Sequence, residues 1–253
     1  CQPNLPNVQR TLIAMKNRIA WTEDGLLFVI RKGKTTNAKI SDGTKPIVQT
    51  YTFDMRQYEL ANCGRKITPS EFFALDIKNC LDCPLSGNRN NGVGKCYTHK
   101  YMQFSGFLSM LRSIHKTDSI QPELTAEMRA TAALWSVDSF VRFGTYGEPS
   151  LFPIDLVQSL ALNASTWSGY THQARRSWAK PYADFFMASA HSDKEAISLV
   201  GWRSFVAYDS TESSAAVQCP ASKESSYASN CAKCGLCSGV KGKGTKDVKI
   251  LIH

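Results

Sequence analysis

Apolar positions along the chain change their spacing several times, and each spacing predicts a different element. Residues 26–32 and 47–55 are rich in β-branched and aromatic side chains and flank a polar, glycine-containing loop, which predicts a β-hairpin. Helical spacing of apolar residues predicts helices over 97–115 and 122–135. Residues 63–96 are rich in loop-forming residues, so something other than apolar packing must hold them.

From residue 139 onward, strand-like and helix-like patterns alternate. Strands are predicted at 139–143, 166–173, 184–190 and 203–209, helices at 154–164 and 192–201, and a short strand at the end of the chain. Short connections between such elements predict an α/β fold with an open parallel sheet or a partial (βα) barrel. Since ligands bind at the carboxyl ends of the strands in such sheets, the turns that follow these strands predict one pocket.

The length of 253 residues, with 43% hydrophobic residues, suits a single α/β domain over residues 1–253. Its parts are a hairpin region (1–60), a first cysteine loop (61–100), βα units (101–210), and a second cysteine group with a closing strand (211–253). No stretch approaches the roughly 20 apolar residues that span a bilayer, and the first residues lack the apolar core of a signal peptide. We therefore expect a cytoplasmic protein without a membrane partner, although a chain beginning at Cys1 also fits a lipid-modified secreted protein.

The charge balance favours an anionic partner. Thirty Lys and Arg residues against 21 Asp and Glu give a formal net charge of +9, which suits nucleic acid, a nucleotide or an anionic small molecule. Residues 174–182 also interleave basic residues with Trp178 and Tyr182, which could stack on bases. Thiolate ligands of a metal would reduce this positive charge.

Nine cysteines in a reducing compartment suit metal binding better than disulfides. Four of them form the pattern C-x11-C-x2-C-x2-C, namely Cys219, Cys231, Cys234 and Cys237. The C-x2-C-x2-C part is the spacing of ferredoxin-type iron–sulfur sites, because a tight loop can present three thiolates to three corners of a cubane. A 4Fe–4S cluster is the prediction for this second cysteine group, and zinc is the alternative.

The first cysteine group has the pattern C-x2-C-x12-C at Cys80, Cys83 and Cys96, with Cys63 as the predicted fourth ligand. This group predicts a second 4Fe–4S cluster or a zinc ion. Alternatively, Cys63 is a free thiol and either His99 or Asp82 takes its place. A cluster held by three thiolates alone would leave one iron open for a substrate.

Outside the cysteines, Glu148 is the strongest catalytic candidate, because a carboxylate at the carboxyl end of a strand can bind an amino group or act as a base. An acidic residue that begins a helix is the alternative. His172, Arg175 and Arg176 follow the next strand and could clamp a phosphate or carboxylate, or form a solvated basic turn. His191, Asp193 and Lys194 lie beside a pattern, Ser192 to Glu195, that a capping box explains.

The segment VRFGTYGEPSLFPIDLVQSLAL (141–162) resembles the strand, Gly-Gly-Glu-Pro turn and helix of radical S-adenosylmethionine enzymes. Gly147, Glu148 and Pro149 match the turn, and Tyr146 stands where that family usually has glycine. The resemblance implies that Tyr146, Gly147 and Glu148, with His172 and Arg175 nearby, bind S-adenosylmethionine. The C-x3-C-x2-C signature of the family is absent, so the sequence leaves enzyme activity open.

The order of short motifs over residues 60–240 resembles the phage gene product 88 domain. These motifs are Cys96-Tyr97, Gly147-Glu148, Tyr170-Thr171 and the run from Cys219-Pro220 to Cys237. The resemblance implies a phage origin, and hence the host cytoplasm, without assigning a reaction. The leading hypothesis is therefore an iron–sulfur protein with a radical-enzyme-like pocket. Its alternative is a non-catalytic zinc or iron–sulfur module that binds nucleic acid or a host protein.

Overall fold

Two five-stranded sheets with helices around them form the structure, a computed structural model that describes residues 17–92, 96–99, 101–208 and 215–251. The strands are β1 (Arg18–Glu23), β2 (Leu26–Gly33), β3 (Ile47–Asp54), β4 (Phe140–Tyr146), β5 (Thr166–Ser168), β6 (Tyr170–Thr171), β7 (Met187–Ala190), β8 (Ser204–Tyr208), β9 (Val217–Gln218) and β10 (Val248–Leu251). The α-helices are α1 (Met55–Ala61), α2 (Pro69–Phe73), α3 (Ile77–Cys80), α4 (Tyr101–Thr117), α5 (Ala126–Ser136), α6 (Ile154–Asn163), α7 (Asp193–Ser198) and α8 (Cys231–Cys234).

The first sheet has the strand order β1-β2-β3-β4-β5 and is mixed. The predicted hairpin is confirmed, since β2 and β3 pair antiparallel from Leu26 opposite Asp54 to Gly33 opposite Ile47. Strand β1 was not predicted, although Asp24 and Gly25 supply the two positive φ angles of the tight turn between β1 and β2. Strands β4 and β5 then join β3 in parallel.

The second sheet has the order β6-β7-β8-β10-β9, and all of its neighbouring strands are parallel. The strand predicted at 166–173 is in fact two strands, β5 and β6, which belong to different sheets and meet at Gly169. A Cβ at Gly169 would lie 2.4 Å from the Cδ1 atom of Phe186, so the chain can change sheets there only without a side chain. The α/β class is confirmed, but the single parallel sheet is replaced by one mixed and one parallel sheet.

Local structure accounts for three further differences from the predicted elements. Residues 63–96 contain α2 and α3, and α2 begins with a complete capping box between Thr68 and Glu71. Helix α5 starts four residues later than predicted because Thr125 caps it. Strand β7 starts at Met187 because Ser177–Asp184 forms a 3₁₀ helix.

Helices cover both faces of the first sheet. On one face, α5 and α6 pack on a core that contains Trp21 stacked on Phe28, with 5.0 Å between ring centroids. On the other face, α1, α2 and α4 enclose a second core that contains Phe53 and Tyr146. This packing leaves the carboxyl end of β4, where the candidate site begins, beside α3. No helix in the described part of the chain is long and apolar enough to cross a membrane.

Candidate metal centres

The second cysteine group is built where β9, β10 and the junction of β5 and β6 meet. Cys219 follows β9, and its backbone N–H donates to the carbonyl of Lys249 in β10. Cys231 and Cys234 are the first and last residues of α8, so they lie three positions apart on one side of a helical turn. The Cys237 carbonyl accepts a hydrogen bond from the N–H of Gly169.

The sequence around α8 explains why this short helix forms. Asn230 caps its first turn by accepting from the N–H of Lys233, and Gly235 ends it with a φ of 65°. The N–H of Cys231 also donates to the carbonyl of Lys39, in the loop between β2 and β3. A loop distant in sequence therefore fixes the position of the two α8 thiols.

Cys219, Cys231 and Cys237 lie in one apolar cluster with Met187 and Val248. Burial raises the pKa of each of these three thiols, and the other thiolates of the group, Cys234 included, raise it further. The four thiols are therefore close neighbours in a poorly solvated place.

Positive charge partly offsets this effect. Arg142 and Lys39 lower the pKa of Cys231, against the larger effect of burial. The Tyr170 side chain also lowers the pKa of Cys237, against the larger effect of burial. These groups favour thiolates, which are the forms that bind metals.

Arg203 holds the loop that carries Cys237. Its side chain is buried, and its guanidinium donates to the carbonyls of Leu236, Ser238, Gly239 and Lys246. One side chain thereby satisfies several carbonyls of a loop without regular structure. The sequence analysis missed this role, because Arg203 looked like the start of a strand.

The first cysteine group lies beside the carboxyl end of β4. Cys80 ends α3, and Leu81 then takes a positive φ of 49°, which turns the chain so that the N–H of Cys83 donates to the Cys80 carbonyl. Cys96 lies further along the chain, with its Sγ 3.1 Å from the Oγ1 of Thr98.

These three thiols are neighbours, since those of Cys83 and Cys96 raise the pKa of Cys80. Burial raises the pKa of Cys80, Cys83 and Cys96, that of Cys83 to about 12. The Asp76 carboxylate raises the pKa of all three thiols, and Glu148 raises those of Cys80 and Cys83. Three thiols and two carboxylates therefore share one neighbourhood.

Cys63 differs from these three cysteines. It is exposed, whereas Cys80, Cys83 and Cys96 are partly buried. It follows α1, a helix of seven residues that is about 10 Å long. It raises the pKa of the nearby Arg65. The structure brings three of the four predicted ligands of the first group together and leaves the role of Cys63 a prediction.

Within residues 17–92, 96–99, 101–208 and 215–251, no three His, Cys, Asp or Glu side chains are already arranged as a group that could hold a metal ion. The thiols are neighbours, and their binding of metal remains a prediction. Cys1 lies outside the described residues.

Glu148 is buried between the two sheets. Its Oε1 accepts from the N–H and hydroxyl of Ser150, at 3.1 and 2.6 Å, and its Oε2 accepts from the N–H of His172 at 3.3 Å. Burial raises its pKa, and these hydrogen bonds oppose the rise. Glu148 thus joins the end of β4 to the end of β6, and a ligand amino group would compete with these donors.

The other residues of the predicted pocket are placed in the same region. The Tyr146 hydroxyl is buried and accepts from Gln57 at 2.7 Å. A Cβ at Gly147, whose φ is +78°, would lie 2.6 Å from the carbonyl oxygen of Thr52, so only glycine fits this turn. The Glu148 N–H donates to the carbonyl of Asn79, next to Cys80, which ties the turn to the first cysteine group.

Two histidines mark the carboxyl ends of β6 and β7. The rings of His172 and His191 stack with 5.6 Å between centroids, and the buried Nε2 of each has no hydrogen-bond partner among the described residues. Burial lowers the pKa of His172 to about 4, so the ring is neutral at pH 7. A neutral His172 contributes less to the predicted clamp for a phosphate or carboxylate than a cationic ring would.

The arginines after β6 point to different partners. Arg175 is exposed and donates to the Ser198 hydroxyl at 3.0 Å. Arg176 pairs with Asp82, in the loop between Cys80 and Cys83, and so links the second sheet to the first cysteine group. Of the two aromatic residues predicted to stack on bases, Trp178 is half-exposed, whereas Tyr182 is buried and donates to the carbonyl of Phe152.

The fold and the site define a class: an α/β protein with one mixed and one parallel sheet and two neighbourhoods of clustered thiols. Comparisons do not narrow this class further, since no family model, no curated protein and no solved structure matches the chain.

Proposed function

We propose that this chain is an iron–sulfur protein in which Cys219, Cys231, Cys234 and Cys237 hold one 4Fe–4S cluster and the first cysteine group holds another. The observation that carries the proposal is the apolar cluster shared by Cys219, Cys231 and Cys237. These residues come from a strand end, a helix start and a loop, and a shared metal centre would account for the meeting of their thiols.

The donor set and its surroundings suit a cluster. Four thiolates would carry a charge of about −4, which the iron of the cluster would offset in part and which cationic side chains nearby would offset further in a low-dielectric site. Lys39 and Arg142 supply positive charge at Cys231. The surrounding apolar side chains limit the access of water to the site. This exclusion of water would protect a cluster from loss of iron.

The turn of Tyr146, Gly147 and Glu148 next to the first group supports a further part of the proposal, namely a pocket for S-adenosylmethionine or a small anionic ligand. Glu148 lies near Cys80 and Cys83, and Arg176 reaches the loop between them. Saturable binding of S-adenosylmethionine that is lost in Glu148→Ala would support this pocket. Unchanged binding in that variant would exclude Glu148 from it.

The test of the cluster is a visible spectrum with iron, sulfide and zinc analysis on protein purified without oxygen. We expect broad absorbance near 400 nm and roughly eight iron and eight sulfide per chain. In Cys231→Ser about half of the iron should be lost, whereas Ser229→Ala, a change two residues earlier in the same loop, should keep all of it.

A colourless protein with about two zinc ions per chain would contradict the proposal. The better account would then be a zinc module that uses its positive charge to bind nucleic acid or a host protein. A steep loss of DNA affinity with rising salt would identify the nucleic-acid partner.

A further inference from the structure

His99 has a buried side chain whose two ring nitrogens lack hydrogen-bond partners among the described residues. Its side chain is 4% exposed, and it stacks on Phe73 with 4.0 Å between ring centroids. Neither Nδ1 nor Nε2 has a hydrogen-bond partner in the described part of the chain. A buried imidazole must carry at least one N–H and one lone pair or two N–H groups, so leaving both nitrogens unpaired costs free energy.

Asp76 lies on one side of this ring. Its carboxylate is fully buried and accepts from the N–H groups of Gly87 and Asn88, both at 2.8 Å. The Nε2 of His99 lies 3.7 Å from the Oδ2 of Asp76, slightly beyond hydrogen-bond distance. A carboxylate that holds one imidazole nitrogen, while the other nitrogen binds a metal, is the usual outer-shell arrangement of metal-binding histidines.

Asp76 also lies among the thiols of the first cysteine group. Its carboxylate raises the pKa of Cys80, Cys83 and Cys96. Asp76 immediately precedes α3, and that helix ends at Cys80. His99 follows Cys96 by three residues, and the His99 N–H donates to the Cys96 carbonyl. The histidine is therefore tied to the first group on two sides, by Asp76 and by the backbone of Cys96.

We propose that His99, and not the exposed Cys63, is the fourth protein ligand of the first metal centre. The ligand set is then Cys80, Cys83, Cys96 and His99, with the pattern C-x2-C-x12-C-x2-H, and Asp76 orients the imidazole without touching the metal. This inference rests on the proposed function, because it assigns the ligands of one of its two centres. The described residues are not yet arranged in this way, so the proposal requires side-chain rotamers to change until the imidazole and the thiols face one centre.

The ligand set gives the first centre different properties from the second. An imidazole is neutral where a thiolate is negative, so a cluster with three thiolates and one histidine carries one negative charge fewer. Replacement of thiolate by histidine raises the reduction potential of iron–sulfur centres. The two centres would therefore accept electrons at different potentials.

The first experiment compares the wild-type protein with His99→Cys. Protein labelled with ¹⁵N-histidine is purified without oxygen and reduced, and pulsed EPR measures nitrogen coupling to the cluster. We expect a ¹⁵N coupling that is absent from His99→Cys, which keeps a fourth ligand and should keep its iron. A reduced cluster signal from both centres without any histidine coupling would overturn the assignment.

Metal analysis of matched variants gives an independent readout. Cys63→Ser should retain the wild-type iron and sulfide, whereas His99→Ala should lose about half of both, with circular dichroism confirming that it is folded. Loss of half the iron in Cys63→Ser, with full retention in His99→Ala, would overturn the inference and leave the iron–sulfur proposal intact.

Absence of iron is a separate outcome. If the wild-type protein holds zinc, the iron–sulfur proposal fails, and cobalt substitution then tests the ligands. His99→Cys should strengthen the thiolate-to-cobalt absorption of the whole protein by about a seventh, since eight thiolates over the two sites replace seven, and Cys63→Ser should leave it unchanged. A weaker band in Cys63→Ser would overturn the role of His99. A wild-type protein with neither metal would sink both proposals.

Discussion

Replacement of Arg203 by methionine tests how the second cysteine group is held in place. Methionine keeps the apolar part of the side chain but removes the guanidinium, which donates to carbonyls of the loop on both sides of Cys237. The carbonyls of Leu236, Ser238 and Lys246 would then lose a donor in a place that water reaches poorly. We expect the loop to loosen and the Cys237 thiol to leave its apolar cluster part of the time.

The magnitude follows from the number of bonds. A hydrogen bond from a charged group contributes about 1.5–3 kcal/mol, and a buried unpaired acceptor costs about 1–3 kcal/mol. The bonds of one guanidinium are not additive, and part of the loop can move into water. We therefore expect Arg203→Met to lower the free energy of unfolding by about 3–5 kcal/mol.

Urea unfolding followed by circular dichroism measures this loss, and hydrogen exchange of residues 236–246 locates it. Arg129→Met is the matched control, because Arg129 makes an exposed ion pair with Asp155 and should cost less than about 1 kcal/mol. A loss below about 1 kcal/mol for Arg203→Met, with unchanged exchange in the loop, would refute the role assigned to this side chain.

Three further changes test other parts of the structure. Gly169→Ala should lower the stability measured by thermal unfolding by about 1–3 kcal/mol, because the new Cβ would overlap Phe186. The control is Gly106→Ala, in a helix with no atom within 4 Å of the new Cβ, which should be neutral or stabilise by up to about 1 kcal/mol. Equal effects of the two changes would refute the close packing at Gly169. Burial lowers the pKa of His172 to about 4, so the unfolded chain takes up this proton first as the pH falls. The stability contributed by the neutral ring is fully present above about pH 6.5 and decreases as the pH falls to about 4. Urea unfolding at these two pH values measures the decrease in the free energy of unfolding, which should be smaller in His172→Gln by up to about 3 kcal/mol. Asp76→Asn should cost about 1–3 kcal/mol in the same assay, because one of two backbone N–H groups would lose its acceptor; no loss would show that those bonds contribute nothing.

The sequence alone indicated several local features correctly, because short-range rules determine them. The hairpin of β2 and β3 follows from two β-rich segments around a polar loop. The alternation of strands and helices after residue 139 follows from the periodicity of apolar residues. The spacing of Cys231, Cys234 and Cys237 indicated one compact loop, and the structure places those thiols together.

The positions that join distant segments were decided by the tertiary structure. The chain passes from one sheet to the other at Gly169, where Phe186 leaves no room for a side chain, and no pattern of residues near Gly169 reveals Phe186. Arg203 and Asp76 each stabilise a loop through hydrogen bonds to residues distant in sequence. Arg203 donates to backbone carbonyls, and Asp76 accepts from backbone N–H groups. Burial separates Cys63 from the other described cysteines and encloses the ring of His99, whose nitrogens lack hydrogen-bond partners among the described residues. It depends on contacts across the fold, whereas spacing depends only on neighbours in sequence.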